Sequence, residues 1–428
     1  GTVNDTTNTL TTRLIFGNNR APQSEFNYRF LGDKPKGPSF TYKEVTEYAL
    51  GKAEKPEGQV WFPGYTFIDK ISSYRDVPDV GEGGYVFSEP GTYGYSKTFD
   101  ITSEHPHSAL AENLFGTYTE NFRDLVQTRV RIKKKDFESA AKLFGGKLSK
   151  YLTDPDLAKN LAQALKIAIN SVYGLTAAKF ENAFRDPRNV DNIVAKRGAL
   201  FMIDLRNAVQ ELGYKVIHCK TDSIKVVNPD EFIENFINKF GECYGYSFEV
   251  EDVWDRICLI DKAQYIGLTV DGEWKATGAA FQHPYVYKTL FTHEEIEYED
   301  LCETKAVSKG AIYIDMEDGK DFTFIGRVGQ FVPVTYGGGI LYRVDNGKNY
   351  AVSDTKGYHW LEASDKHIID SIIDKSYYED LVRSARGHII TLGNIDDFLD
   401  TSKPYVYEVP DSGEVPLELP EVFTKMAS

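Results

Sequence analysis

YKVIHCKTDSIKVV, residues 214–227, has β-branched and apolar residues alternating on both sides of a polar centre. That pattern predicts an antiparallel hairpin with its turn at Lys220–Ser223, which presents Asp222 at the tip between two apolar strands. Upstream, NIVAKRGALFMIDLRNAVQELG (192–213) predicts a helix that stops at Gly213. Downstream, ICLIDKAQYIGLTVDGEWKATGAAF (257–281) predicts a second hairpin turning at Asp271-Gly272.

Working further outward, LAKNLAQALKIAINSVYG (157–174) carries an apolar stripe through Leu161, Leu165, Ala168 and Ile169. TDPD (153–156) supplies its cap, with Pro155 in the first turn and Gly174 as the stop. DFESAAKLFGGKLSKYL (136–152) reads as one preceding helix. Lys97–Ile101 reads as extended, with a short helix after it through Ala109, Leu110 and Leu114. Residues 1–95 are rich in Gly, Pro and Tyr and read as short strands and long loops. Beyond about 290 the chain mixes helix and strand, with a β segment centred on the glycines at 337–339 and a poorly ordered acidic tail.

The 428 residues carry 41% hydrophobic and 26% charged residues, which excludes a disordered, collagenous or disulfide-stapled chain. Four scattered cysteines without a CxxC pair point to reduced thiols in the cytoplasm and away from a zinc cluster. No apolar run reaches the ~18 residues that span a bilayer, so no membrane partner is expected. The net charge of −15 argues against a polyanionic partner, yet basic residues gather in one strip: Arg123, Arg129, Arg131, Lys133, Lys134, Lys135, Lys142, Lys147 and Lys150. A solvated helix face is the plain reading of such a strip, and a grip on nucleic-acid phosphates is the functional one.

Three segments carry chemistry together: FDITSEHPHSA (99–109) with Asp100 at a strand end, KIAINSVYG (166–174), and KTDSIKV (220–226). Lys166, Asn170 and Tyr173 fall at i, i+4 and i+7 and share one helical face. Singly, Asp100 could cap a helix, Lys166 could be a surface lysine and Asp222 a turn residue. Jointly they form a phosphoryl-transfer set. Two carboxylates can hold divalent cations ~3.5–4 Å apart, and a helix-borne lysine can neutralise a triphosphate. His105 and His107 at i, i+2 lack a third metal ligand and read as a polar loop. The glycines at 337–339 lack the Lys-Ser/Thr of a phosphate loop.

The three segments resemble motifs A, B and C of family B DNA polymerases (DxxSLYPS, KxxxNSxYG and DTDS), with replicative polymerases of tailed bacteriophages as the nearest likeness. The resemblance implies an α+β, right-hand fold with an antiparallel-sheet palm, helical fingers and a mixed thumb and C-terminal region. It divides the chain into a β/loop-rich lead-in (1–95), palm (96–119), fingers (120–175), palm again (176–290), and thumb with C-terminal extension (291–428). It implies DNA-directed DNA polymerase activity in viral replication, in the cytoplasm of a host cell, with primed DNA template and deoxynucleotides as partners. Two Mg²⁺ ions, with Mn²⁺ as a substitute, would be the cofactors.

Residue by residue, the likeness makes Asp100, Asp222 and the Ile101 carbonyl metal ligands and sets Lys166 on the incoming triphosphate. Asn170 and Tyr173 would line the nucleotide pocket. Ser103 and Glu104 would lie beside the phosphates through backbone N–H groups, and His105 would stand where a Tyr excludes a ribose 2′-hydroxyl. Lys220, Thr221, Gly83 and Gly84 would meet primer or template. Lys262 and Tyr265 resemble the KxY element at the primer terminus, with one extra residue between them.

Departures are specific. Lys220 replaces the first Asp of DTDS, Glu104 a Leu, His105 a Tyr, and Gly81 the Tyr of a YxGG element in GEGG (81–84). The stretch before Asp100 is too short for the family's exonuclease domain, so a separate exonuclease chain or a truncation is expected, alongside a processivity factor. Two rivals follow from the departures. Lys220 suggests a weakened polymerase-fold DNA-binding subunit, and His105 a ribonucleotide-tolerant, primase-like polymerase.

Overall fold

The computed structural model describes residues 6–17, 31–80, 83–352, 357–362 and 372–406. Gly81 and the acidic tail lie outside them. The chain forms two compact units, one drawn from residues up to Glu89 and from Ser96–Val253, the other from Pro90–Tyr95 and from Trp254 onward. That division falls within the 176–290 stretch.

In the first unit the hairpin of residues 214–227 forms as read, with strands Lys215–Lys220 and Ser223–Val227 antiparallel and a bulge between Lys225 and Val226. The Ser96–Ile101 strand pairs antiparallel with one side of it and Val86–Ser88 with the other. The sheet order is completed by the start of Phe248–Asp261, beside Ser96–Ile101. Helices Ile193–Glu211 and Glu231–Cys243 cover the sheet. Phe201, Met202, Leu205, Phe236 and Phe240 pack with Phe99, Ile224 and Val226 in one core.

The segment before residue 95 is more helical than its Gly, Pro and Tyr content suggests, with helices at Thr7–Phe16 and Tyr42–Ala49. The second is started by Glu44, whose carboxylate accepts the Thr41 N–H at 2.9 Å. Phe40, Val45, Phe62, Tyr74 and Val80 enter the same core as the sheet. Asp204, buried in the Ile193–Glu211 helix, is met by Arg75 at 2.6 Å and by the Tyr74 hydroxyl at 3.0 Å. Burial pushes the Asp204 carboxyl up to about 6, against the lowering pull of Arg75.

A second core joins the Thr119–Lys133 and Pro155–Thr176 helices through Phe122, Leu125, Val126, Leu165, Ile169 and Val172. Asp154 caps the latter helix, accepting the Asp156 N–H at 2.7 Å, and Pro155 opens it. The helix passes through Gly174 to Thr176, two residues beyond the expected stop. The single helix expected over 136–152 is broken. Phe137–Lys142 is helical, and two short 3₁₀ turns follow at Phe144–Gly146 and Ser149–Tyr151, the first with Gly145 and Gly146 at φ of 61° and 74°. The basic strip has two faces: Phe122, Val126 and Ile132 are buried while Lys133, Lys134, Lys135, Lys142, Lys147 and Lys150 are exposed.

In the second unit the remainder of Phe248–Asp261 pairs with Gln264–Thr269 and Gly91–Tyr93, and Gln264–Thr269 pairs with Trp274–Thr277. The expected single hairpin over 257–281 is thus a three-stranded meander. Its extra turn follows Asp261, which accepts the Ala263 N–H at 2.7 Å. Two further antiparallel sheets span 303–360, and a helix runs Lys375–Leu392. Arg256 is buried and donates to the carbonyls of Asp397, Phe398, Asp400 and Lys403 at 2.6–3.0 Å. Among the described residues no helix is long and apolar enough to cross a membrane.

Candidate active site

Asp100 lies opposite Ser223 in the sheet, and the Ile101 N–H donates to the Asp222 carbonyl at 2.8 Å. The two aspartates therefore meet at one end of the sheet. Asp222 is held by its own N–H, which donates to the Lys220 carbonyl at 2.7 Å. Thr221 turns the chain with a φ of 55°, a left-handed conformation that is uncommon for a β-branched residue. Its N–H donates to the Tyr85 carbonyl at 3.0 Å, and its hydroxyl reaches the Gly83 carbonyl at 3.5 Å. A Cβ on Gly84, itself at φ 83°, would lie 3.2 Å from Thr221, so this turn needs a glycine beside it. Gly83, Gly84, Lys220 and Thr221 thus gather around Asp222, with Lys220 exposed.

The carboxyls are electrostatically coupled. Burial, then the charge of Asp222, then those of Glu251 and Glu249, push Asp100 up to about 7. Asp222 is raised too, by burial first and by Glu104 beside it. Carboxylates crowded in this way are a donor set whose repulsion a hard, oxygen-binding cation relieves. Among the described residues no three His, Cys, Asp or Glu side chains form a metal cage. Asp100 and Asp222 would therefore need backbone, substrate or water oxygens to complete a cation's shell.

Asp100 is not the cap of the helix that follows. Ser103 stands at the N-cap of Glu104–Ala111, with φ 50° and no side-chain capping bond. His107 folds back on its own turn, with Nδ1 2.8 Å from the Ser103 carbonyl oxygen, and burial lowers its pKa.

His105 faces the other way and stacks on Tyr173, ring centroids 4.8 Å apart and planes 20° from parallel. The Glu104 carboxylate beside it raises the imidazole pKa. This stack ties the segment bearing Asp100 to the Pro155–Thr176 helix. Lys166 and Asn170 are exposed on that helix, with Lys166 about 10 Å from Tyr173 along the axis. Lys262 and Tyr265 belong to the second unit. Lys262 is exposed in the turn after Asp261, and Tyr265 pairs with Leu259 and Thr277.

Several neighbours of the site escape a reading by motif. Glu249 and Glu251 alternate along the strand beside Asp100, and the period-two E-V-E at the start of that strand is the signal that marks them. Glu104 is buried rather than presented toward solvent; its Oε1 accepts from the Ser108 hydroxyl at 3.2 Å. Gly198, with no signal in its own stretch, borders it.

No family model matches the chain. One segment of 117 residues, 27% of the chain, is 31% identical to DNA polymerase 2 of Aeropyrum pernix. A segment of 119 residues is 28% identical to a DNA polymerase of Archaeoglobus fulgidus. These matches span 14% and 15% of the two relatives' own lengths. A solved family B DNA polymerase from Pyrobaculum calidifontis aligns with 82% of this chain and 50% of its own, at 15% identity and a TM-score of 0.44.

Proposed function

We propose that this chain is the polymerising part of a family B-like DNA polymerase, adding deoxynucleotides to a primer 3′-hydroxyl in viral DNA replication. The observation that carries the reading is the convergence of Asp100 and Asp222 at one sheet end, each raised in pKa by burial and by neighbouring carboxylates. The partial similarity to two archaeal DNA polymerases supports it.

In this reading Asp100, Asp222 and the Ile101 carbonyl hold two divalent cations, Mg²⁺ or Mn²⁺. Bound there, such cations would supply Lewis acidity toward the primer 3′-hydroxyl and charge neutralisation toward the pyrophosphate. The backbone N–H groups of Ser103 and Glu104, at a helix N-terminus, cradle the β/γ-phosphates. Lys166 neutralises the charge that builds on them, from a helix able to close over a correct pair. His105, Asn170 and Tyr173 wall the nucleotide pocket. Lys220, Thr221, Gly83 and Gly84 follow the primer–template, Lys262 and Tyr265 support the primer end, and the exposed lysines of 133–150 meet phosphates. Residues 1–95 lead into the palm (96–119 and 176–290), with fingers at 120–175 and thumb and extension at 291–428. A separate exonuclease or processivity factor would complete the assembly.

The test is primer extension on primed DNA with Mg²⁺, beside Asp222→Ala. Extension by the unaltered chain that vanishes in the variant supports the reading. Lys220, exposed next to Asp222 in place of a carboxylate, favours a second one. DNA binding without extension would make the chain a polymerase-fold binding subunit.

A further inference from the structure

Glu104 and His105 depart together from the Leu-Tyr pair of the resembled motif, and the structure links them. The Glu104 carboxylate is buried, its side chain 4% exposed, and Oε2 lies 2.9 Å from His105 Nδ1 as an ion-pair contact. On its far side Oε1 accepts from the Ser108 hydroxyl, which shares a 2.5 Å bond with the Tyr246 hydroxyl. Tyr246 in turn lies under the Arg197 guanidinium, 5.0 Å from ring centroid, and Arg197 Nε is 3.2 Å from Glu112 Oε1. A Cβ on Gly198 would stand 1.9 Å from Glu104 Oε1, so the helix backbone walls the carboxylate in.

A carboxylate taken this far out of water is costly unless its oxygens are engaged. Here Oε1 accepts from Ser108, while Oε2 makes no hydrogen bond and has the imidazole Nδ1 2.9 Å away as its charge partner, on a side chain that is 41% exposed. Tyr173 covers the face of that ring. The imidazole is therefore gripped by a charge on its edge and by a ring on its face, which removes rotamers that an exposed His would otherwise sample.

We infer that Glu104 is a positioning residue, whose buried carboxylate locks His105 against Tyr173 so that the pocket wall facing the incoming nucleotide's sugar is set before the nucleotide arrives. This rests on the polymerase reading above. A Leu-Tyr pair reaches a similar end with a larger ring that needs no acid behind it; a His needs one.

The experiment is single-nucleotide insertion on primed DNA, reading kcat/KM for dCTP against CTP, with thermal melts to check folding. Glu104→Leu removes a charged partner, and the deoxy-to-ribo ratio should fall about tenfold, mostly through a gain in kcat/KM for CTP. Gly198→Ala should shift the ratio in the same direction without altering any residue of the pocket. Glu104→Gln, which keeps the shape and loses the charge, should recover only a minor part of what Glu104→Leu loses. Adding His105→Tyr to Glu104→Leu should restore discrimination. A folded, active Glu104→Leu protein with the wild-type ratio overturns the positioning role, as does independent multiplication of the Glu104→Leu and His105→Tyr effects. No insertion by the unaltered chain would remove the polymerase reading, and this role with it.

Discussion

Replacing Asp100 by Asn should make the cation-free protein more stable, although it should end the primer extension proposed above. Asp100 titrates at about 7 in the folded chain instead of its ordinary 3.8, because burial and the charges of Asp222, Glu251 and Glu249 disfavour its ionised form. The folded state thus holds this proton more tightly than the unfolded state does. Stability is lost as pH rises from about 3.8 through 7, and the full penalty is present above 7. At 1.36 kcal/mol per tenfold change in proton affinity the ceiling is ~4 kcal/mol, and solvent screening of this half-buried group brings it to ~1–2 kcal/mol. Asn keeps the shape and carries no charge. Thermal melts in EDTA at pH 8 should therefore place Asp100→Asn a few degrees above wild type, with the gap narrowing by pH 5. Millimolar Mg²⁺ should raise the wild-type midpoint and leave the variant nearly unmoved, because only the native donor set gains by binding. A variant that melts below wild type in EDTA at pH 8 would refute the electrostatic reasoning.

Lys166→Ala should raise the KM for deoxynucleotides by roughly tenfold or more while primer–template affinity stays within about twofold, as measured by extension kinetics and fluorescence anisotropy. Arg256→Ala strips a shared donor from four main-chain carbonyls. It should cost about 3 kcal/mol or more and open the 397–403 segment to limited proteolysis. Gly267→Ala would set a Cβ 2.4 Å from the buried Trp254 ring. Urea denaturation should show the second unit weakened by roughly 1–3 kcal/mol.

How much of this was legible in the sequence depended on the range of the interaction. The 214–227 hairpin and the start of the 155–176 helix are written in neighbouring residues, through alternation, Asp154 and Pro155, and they form as read. The helix runs past Gly174 because that glycine costs only about 1 kcal/mol, and packing of Val172 and Thr176 outweighs it. The 42–49 helix is short and rich in Tyr and Thr, and only the Thr41 and Glu44 pair announced it. In the sequence Glu104 reads only as a departure from the Leu of the resembled motif. Its burial depends on Gly198 and Tyr246, far along the chain, and no local pattern reports that.

The shared core of the first unit bears on where the gene can be cut. Phe40, Val45, Phe62, Tyr74 and Val80 are structural parts of the body that carries Asp100 and Asp222, and Arg75 is the partner of Asp204. A fragment begun at Ser96 would keep every residue proposed for chemistry except Gly83 and Gly84. It would also open the flank of the 193–211 helix to water and leave Asp204 without its cation. Expression trials should therefore treat residues 31–95 as indispensable, since a catalytic fragment trimmed to its motifs would be an aggregation-prone remnant.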